Sequence, residues 1–352
     1  MVSVQTFPTT SQGGGACLDS DGNIWLCRGA GNPETITLQK IDPATGAQLA
    51  TYTFDLAGEN EDTPGYIIFD NGSLWMTPGG NLLLKIDPSD GTLIISYPVI
   101  TSITATNIFT KGLCSDGAGN IWVAVQYTDG SNIGSAVKLA QSNGAISQLV
   151  NVGTHAQGIC FDGANVWITT VFDGTVVKIL SSDGTILDTI VLGVAFTAVV
   201  IDILFDGASI WAVDSGQENL VKIDPVSDVV LDTIALNAFP FSVGYDTISG
   251  IYVMCTADFT AYFVPIFDKT SDVLLQSVDL SATINAGGQA WVFTSNAMWT
   301  EAENLDFDPI ILRLLLSDAP VIPNTPLRIN PDGLPRIPMP WKQCHDKCQI
   351  FT

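Results

Sequence analysis

DGNIWLC, residues 21–27, is a tight turn followed by a short apolar run that carries Trp25 near its start. The same arrangement returns as NGSLWMT around Trp75, GNIWVAV around Trp122, ANVWITT around Trp167 and ASIWAVD around Trp211. Two looser copies follow, GIYVMC with Tyr252 and NAMWTE with Trp299. Successive anchors stand 50, 47, 45, 44, 41 and 47 residues apart. Seven copies at this period match units of four short strands, the blades of a β-propeller.

Each copy repeats one grammar. An apolar run ends at a turn, as in GICFDGAN (158–165), and the Trp strand follows. A third strand ends in a cation plus an aliphatic residue: Lys40-Ile41, Lys85-Ile86, Lys138-Leu139, Lys178-Ile179, Lys222-Ile223 and, in the seventh copy, Arg313-Leu314. The sixth copy diverges here. A second turn (DPATG, DPSDG, QSNG, SSDG, DPVSD, DKTSD) leads to a fourth strand such as TILDTIVL (185–192). Asp-Gly and Asn-Gly between alternating apolar runs suit the positive φ angles of tight hairpins. The strands are rich in Val, Ile, Thr, Trp and Tyr, and no segment sustains a helical period. The seventh copy lacks an outer strand, while VSVQTFP (2–8) reads as one placed before the first blade. The expectation is an all-β, seven-bladed propeller over 1–318, with the N-terminal strand completing the last blade so that no seam stays open.

With the pattern DGNIW…KIDPATG (21–46), residues 2–318 resemble the superfamily of YncE-like, NHL-like and virginiamycin B lyase-like propellers. The resemblance is specific for fold. For function it implies little, because that superfamily includes enzymes, binding platforms and structural proteins.

From Ala319 the composition changes. Residues 319–352 hold seven prolines, with Arg328, Arg336, Lys342 and Lys347 against only Asp332 and Asp346. Proline at this density excludes helix and central strand and favours extended polyproline geometry. The whole chain carries −23, from 36 acidic and 13 basic residues, so a tail of about +2 follows a body of about −25. That contrast suits docking of the tail on an acidic surface. Trp341 reads as an apolar anchor for a partner's pocket, with Arg328, Arg336, Cys344 and Cys348 beside it in the expected docking segment. Cys344-His345-Asp346-Lys347-Cys348 offers three metal ligands where a structural zinc site takes four. Free thiols or a disulfide are the plainer readings.

The negative body repels phosphate, which argues against nucleic acid and anionic membrane as partners. The most apolar stretch, Ile186 to Phe205, is broken by Asp188 and Asp202 and reads as strand, turn and strand rather than a membrane span. The start MVSVQTFPTT has neither the basic nor the apolar region of a secretory leader, so synthesis in the cytoplasm is expected. Cys17, Cys114 and Cys160 occupy one repeat position, and with Cys27 and Cys255 they read as buried small hydrophobes.

His155, in GTHAQGIC, stands at the start of the fourth blade. In propellers of this kind that place lies near the mouth of the central channel, so His155 is the candidate for acid–base work; the plainer reading is a loop histidine. Virginiamycin B lyase-like enzymes use a histidine with an acidic Mg²⁺ site in the late blades, and this sequence has no histidine in its fifth to seventh blades. Sugar-lactonase-like propellers hold a divalent metal with Glu and Asn from several blades. Here Glu59, Glu61 and Asp62 form an acidic loop entering the second blade, and Glu218, Glu301 and Glu303 follow Trp anchors; solvated loop charge explains them equally. DSDGN (19–23) begins like a calcium loop but lacks its Gly and distal Glu, and reads as a hairpin turn. No Ser-His-Asp order, phosphate loop or dinucleotide fingerprint is present, so no cofactor is expected. The leading expectation is a non-catalytic interaction propeller in a larger assembly, such as a phage or virus particle, anchored by its tail. The alternatives are a metal-dependent lyase or lactonase at the channel mouth, and a glycan- or receptor-binding propeller using Phe239, Phe241 and Tyr262.

Overall fold

A computed structural model describes residues 3–8, 12–30, 35–55, 66–101, 108–127, 133–195, 197–246, 250–257, 262–280, 286–287, 292–293, 297–303 and 309–315. All elements among them are strands. After β1 (Ser3–Pro8), the first blade is β2 (Gln12–Leu18), β3 (Ile24–Ala30), β4 (Thr35–Ile41) and β5 (Gln48–Asp55). The second is β6 (Ile67–Asp70), β7 (Ser73–Met76), β8 (Leu82–Ile86) and β9 (Leu93–Pro98). The third is β10 (Ile108–Ser115), β11 (Asn120–Tyr127), β12 (Ile133–Ala140) and β13 (Ile146–Thr154). The fourth is β14 (Ala156–Phe161), β15 (Asn165–Thr170), β16 (Thr175–Leu180) and β17 (Ile186–Val191). The fifth is β18 (Val200–Phe205), β19 (Ile210–Asp214), β20 (Asn219–Ile223) and β21 (Val230–Ala235). The sixth is β22 (Phe239–Tyr245), β23 (Gly250–Thr256), β24 (Tyr262–Asp268) and β25 (Leu274–Asp279). Each is an antiparallel meander in chain order, and the strand, turn and strand expected for 186–205 are β17 and β18.

The structure shows six such blades rather than the seven expected. The seventh repeat enters a sheet of another make: β26 (Ala286–Gly287), β27 (Val292–Phe293), β28 (Ala297–Glu303), β29 (Pro309–Leu315) and β1. Where the regular blades have one inner strand, here two fragments meet opposite stretches of β28, Ala286 facing Glu303 and Val292 facing Trp299. The sequence explains the break: NAGGQAWVF (285–293) puts Gly287 in β26 and has no Asp-Gly turn before Trp299, and glycine weakens a strand. The N-terminal β1 runs antiparallel to β29, Ser3 opposite Leu315 through Pro8 opposite Ile310.

The repeated Trp and Lys are cross-strand partners. Trp25 faces Lys40, Trp75 Lys85, Trp122 Lys138, Trp167 Lys178 and Trp211 Lys222. Each ammonium lies over its indole at 4.8–5.6 Å from the ring centroid. From there Lys40 donates to Pro88 O, Lys138 to Ser181 O, Lys178 to Pro225 O and Asp228, and Lys222 to Lys269 O and Asp272. Every one of these acceptors belongs to the following blade. The motif is therefore a latch: the indole face and the next blade's turn together compensate the desolvated cation. In the sixth blade Tyr252 faces Ile266 instead, which is why the sequence departs there.

The core lies between blades. Trp25, Cys27, Ile36 and Leu38 pack on Ile67, Leu74, Met76 and Leu84 of the next blade, and equivalent clusters join the second blade to the third, third to fourth and fourth to fifth. Inner strands meet side by side, β10 with β14, β14 with β18 and β18 with β22. Gly134 on β12 permits a further approach, to the inner strand β14 of the next blade, since a Cβ there would stand 2.5 Å from the backbone nitrogen of Ala156.

Candidate functional site

The inner strands surround a central cavity of about 270 Å³. Its walls are mostly apolar, including Leu113, Ile159, Ile203 and Val243, and Tyr66, Asp202, Ser242 and Tyr245 bring polar groups to it. The polarity has a structural origin. Inner strands β2, β10, β14, β18 and β22 each slip register against the Trp strand, at Gly13/Ala16, Thr110/Leu113, Ala156/Ile159, Val200/Asp202 and Pro240/Ser242. Such bulges turn side chains away from regular alternation and leave backbone groups unpaired. Lys111, Gln157, Ile201 and Phe241 occupy the bulged segments.

Asp202 directly follows the bulged Ile201 and stands opposite Val213. Its carboxylate accepts the N–H of Val243 on the neighbouring blade at 3.0 Å and its own strand's Ile203 N–H at 2.9 Å. Burial pushes its pKa up to about 6, against the lowering effect of those N–H groups and the Ser242 hydroxyl. Tyr66, from the second blade, hydrogen-bonds Gln157 of the fourth and faces the charge of Asp202 on the fifth. Burial and then that charge hold its phenol well above the usual range.

His155 stands at the junction of β13 and β14, where the inner strand begins. It takes the left-handed conformation, φ +53°, and its carbonyl accepts Val171 N–H at 3.0 Å. Its ring meets Phe172 edge-on at 4.4 Å, and its buried Nδ1 has no hydrogen-bond partner. Burial first, then the Lys111 ammonium, lowers its pKa, while the Asp173 carboxylate opposes them. Asp173 is pinned by Thr154, whose N–H and hydroxyl both donate to it at 2.7 Å. Lys111 itself lies over Phe109 at 5.8 Å, and burial lowers its pKa.

The charges of Lys111 and Asp173 thus bear on His155, while Tyr66, Gln157 and Asp202 come from the second, fourth and fifth blades. Sequence reading singled out only His155. The missed signal was charge inside an inner-strand run: Lys111 in IFTKGLC and Asp202 in VVIDILF. Glu59, Glu61 and Asp62 lie outside the described residues, as do Arg328, Arg336, Trp341, Cys344 and Cys348. Glu218 sits with φ +57° between β19 and β20, and Glu301 and Glu303 lie within β28 rather than after it. Asp19 accepts the N–H groups of Asp21 and Asn23 and the indole N–H of Trp25, which makes DSDGN the hairpin turn of the plainer reading. Of the aromatic set, Tyr262 is buried and meets Phe241 edge-on at 6.2 Å, while Phe239 and Phe241 are half-buried. Cys27 and Cys255 are buried, and Cys17, Cys114 and Cys160 partly so; burial holds the thiols of Cys17, Cys114, Cys160 and Cys255 far up, away from the reactive thiolate. No protein-family model matches the chain, and no curated protein was found to match it.

Proposed function

We propose that this protein is a non-catalytic interaction propeller, one component of a larger assembly. The observation that carries the reading is the outer rim. Leu93, Ile94 and Ile95 on β9, Ile186, Leu187 and Val191 on β17, and Val230 and Leu231 on β21 are large apolar side chains exposed to solvent. They stand on the outer strand of their blades, whose far edge pairs with no strand among the described residues. Apolar edge strands favour association, in a protein whose strong negative charge otherwise promotes solubility. The proline-rich, basic tail with Trp341 is the proposed anchor, and a phage or virus particle is the proposed setting. In the same reading the sheet of β26–β29 and β1 serves as the seventh blade and closes the ring. The repeat grammar supports grouping the chain with the YncE-like and NHL-like propellers.

A second reading, a lyase or lactonase acting at the channel mouth, draws on His155 beside Lys111. Sedimentation of the native protein from its source separates the two. Co-sedimentation with a megadalton particle, lost when the chain is ended at Ser317, is the expected result. A free species near the 37.4 kDa of one chain overturns the assembly reading.

A further inference from the structure

We propose that the central cavity binds a small primary amine, with its ammonium on the Asp202 carboxylate and its hydrocarbon body against the apolar ring of the inner strands. The site stands on the channel alone and holds whether or not the chain joins an assembly.

Register puts the lining in two layers. One residue before the partner of each Trp or Tyr anchor, the inner strands carry Ala16, Ile67, Leu113, Ile159, Ile203 and Val243. They come one from each of six blades, and all of them line the cavity. One residue earlier again stand Gly15, Tyr66, Gly112, Gly158, Asp202 and Ser242. Glycine there serves close packing: a Cβ on Gly112 would stand 2.6 Å from Gln157 O, and one on Gly158 3.0 Å from Asp202 Cα. Tyr66, Asp202 and Ser242 are the members of this second layer that reach the cavity. An apolar ring thus borders a polar layer, and among the described lining residues Asp202 is the one that carries charge.

Asp202 differs from the carboxylates of the repeat. Asp19 and Asp116 pair with Lys40 and Lys138, and Asp162 and Asp206 close hairpins and take the indole N–H of Trp167 and Trp211. Asp202 lies inside β18 rather than in a turn, and no ion pair among the described residues includes it. Hydrogen bonds from Ile203 N–H, Val243 N–H and the Ser242 hydroxyl occupy its oxygens. An ionised carboxylate has about four acceptor sites, so about one remains, together with the charge. A buried charge without a counter-charge is costly, and an ammonium N–H supplies both the charge and the missing donor. Calcium or magnesium would take six or more oxygens, where the described lining offers one carboxylate. The acidic chain raises the local concentration of cations. Size sets the rest of the ligand. A dry apolar cavity of about 150 Å³ admits benzene, so about 270 Å³ leaves room for a ring with a short ammonium arm.

The experiment is a calorimetric titration of the full-length protein with phenethylamine. It is run at about pH 7.5, where the amine is protonated, in about 0.15 M sodium chloride, which screens exposed charges beyond about 8 Å. Binding is expected at one site per chain with a Kd below about 1 mM. The uncharged 2-phenylethanol, with the same body, is expected to bind at least about tenfold more weakly. Asp202→Asn keeps one of the two carboxyl oxygens and is expected to lose about the same factor. Asp188→Asn makes the same change of net charge on the exposed face of β17 and is expected to bind as wild type. Ala16→Phe fills the cavity from the first blade, leaves the net charge intact and is expected to abolish binding. Thermal unfolding shows which variants fold; if Asp202→Asn does not, the amine–alcohol comparison on the wild-type protein and Ala16→Phe decide. Four results overturn the site: no saturable binding up to about 5 mM amine; amine and alcohol bound alike; a folded Asp202→Asn or Ala16→Phe binding as tightly as wild type; or Asp188→Asn losing as much as Asp202→Asn, which reduces the effect to attraction by the acidic surface.

Discussion

The carboxylate of Asp162 accepts the N–H groups of Ala164 at 2.8 Å and Asn165 at 2.6 Å, and the indole N–H of Trp167 at 2.7 Å. One side chain thus closes the turn and satisfies the buried tryptophan. Burial pushes its pKa up, and the hydrogen bonds from Trp167, Asn165 and Ala164 together bring it below the ordinary value. A depressed carboxylate stabilises the fold above the unfolded pKa and loses that contribution as pH falls through the folded one. Asp162→Ala is expected to cost about 2–4 kcal/mol at pH 7, because it strands a buried indole N–H; urea denaturation measures it, and the difference from wild type should shrink below about pH 4. Asp202 has the opposite sign. Its raised pKa means that the folded state holds a proton the unfolded state has released between about pH 4 and 6. Stability therefore falls as pH rises through that window. Asp202→Asn removes the effect, so the variant should gain on wild type by about 2–3 kcal/mol between pH 4 and pH 7. A constant difference across that range would show that Asp202 does not titrate there.

At the level of the element, the latch and the close approach of strands do separate jobs. Lys178 is nearly enclosed, while its partner Asp228 remains more accessible. Lys178→Met keeps the stem over Trp167 and loses the contacts to Pro225 and Asp228. A loss of about 1–3 kcal/mol is expected, below that of a fully buried pair, and the unfolding midpoint of the purified variant reads it directly. Gly134→Ala tests the approach of the third blade to the fourth. With a Cβ 2.5 Å from Ala156 N, β12 and β14 must part, and destabilisation of about 1–3 kcal/mol is expected as for other overpacked sites. A neutral result would mean that the two strands can separate freely.

For the whole molecule the decisive contact is β1 on β29, the two ends of the described chain. Deleting residues 1–8 exposes the edge of β29 and removes the link between the ends. A lower thermal midpoint and a greater tendency to associate are the expected outcomes, by calorimetry and light scattering. An unchanged midpoint would show that the ring is held by blade-to-blade packing alone. Ending the chain at Ser317 asks the other question, whether the tail carries assembly.

The Trp anchors, the Asp-Gly turns and the 41–50 residue spacing were enough for the sequence to specify a ring of four-stranded antiparallel units and an N-terminal strand that pairs with the last. These are local signals, a turn type and a strand period, repeated until chance is excluded. It took the tertiary structure to show that six blades are regular and that the seventh repeat, with Gly287 in the short β26, is built differently. The purpose of the repeated Lys also appeared only there, since its acceptors lie 43 to 50 residues away in the next blade. The channel groups were the least legible. Lys111 in a bulge of β10, His155 just before β14 and Asp202 on β18 come from three blades, and nothing in a linear spacing says which inner strands the fold sets side by side. The packing of blade on blade sets those neighbours, and that is a property of the fold as a whole.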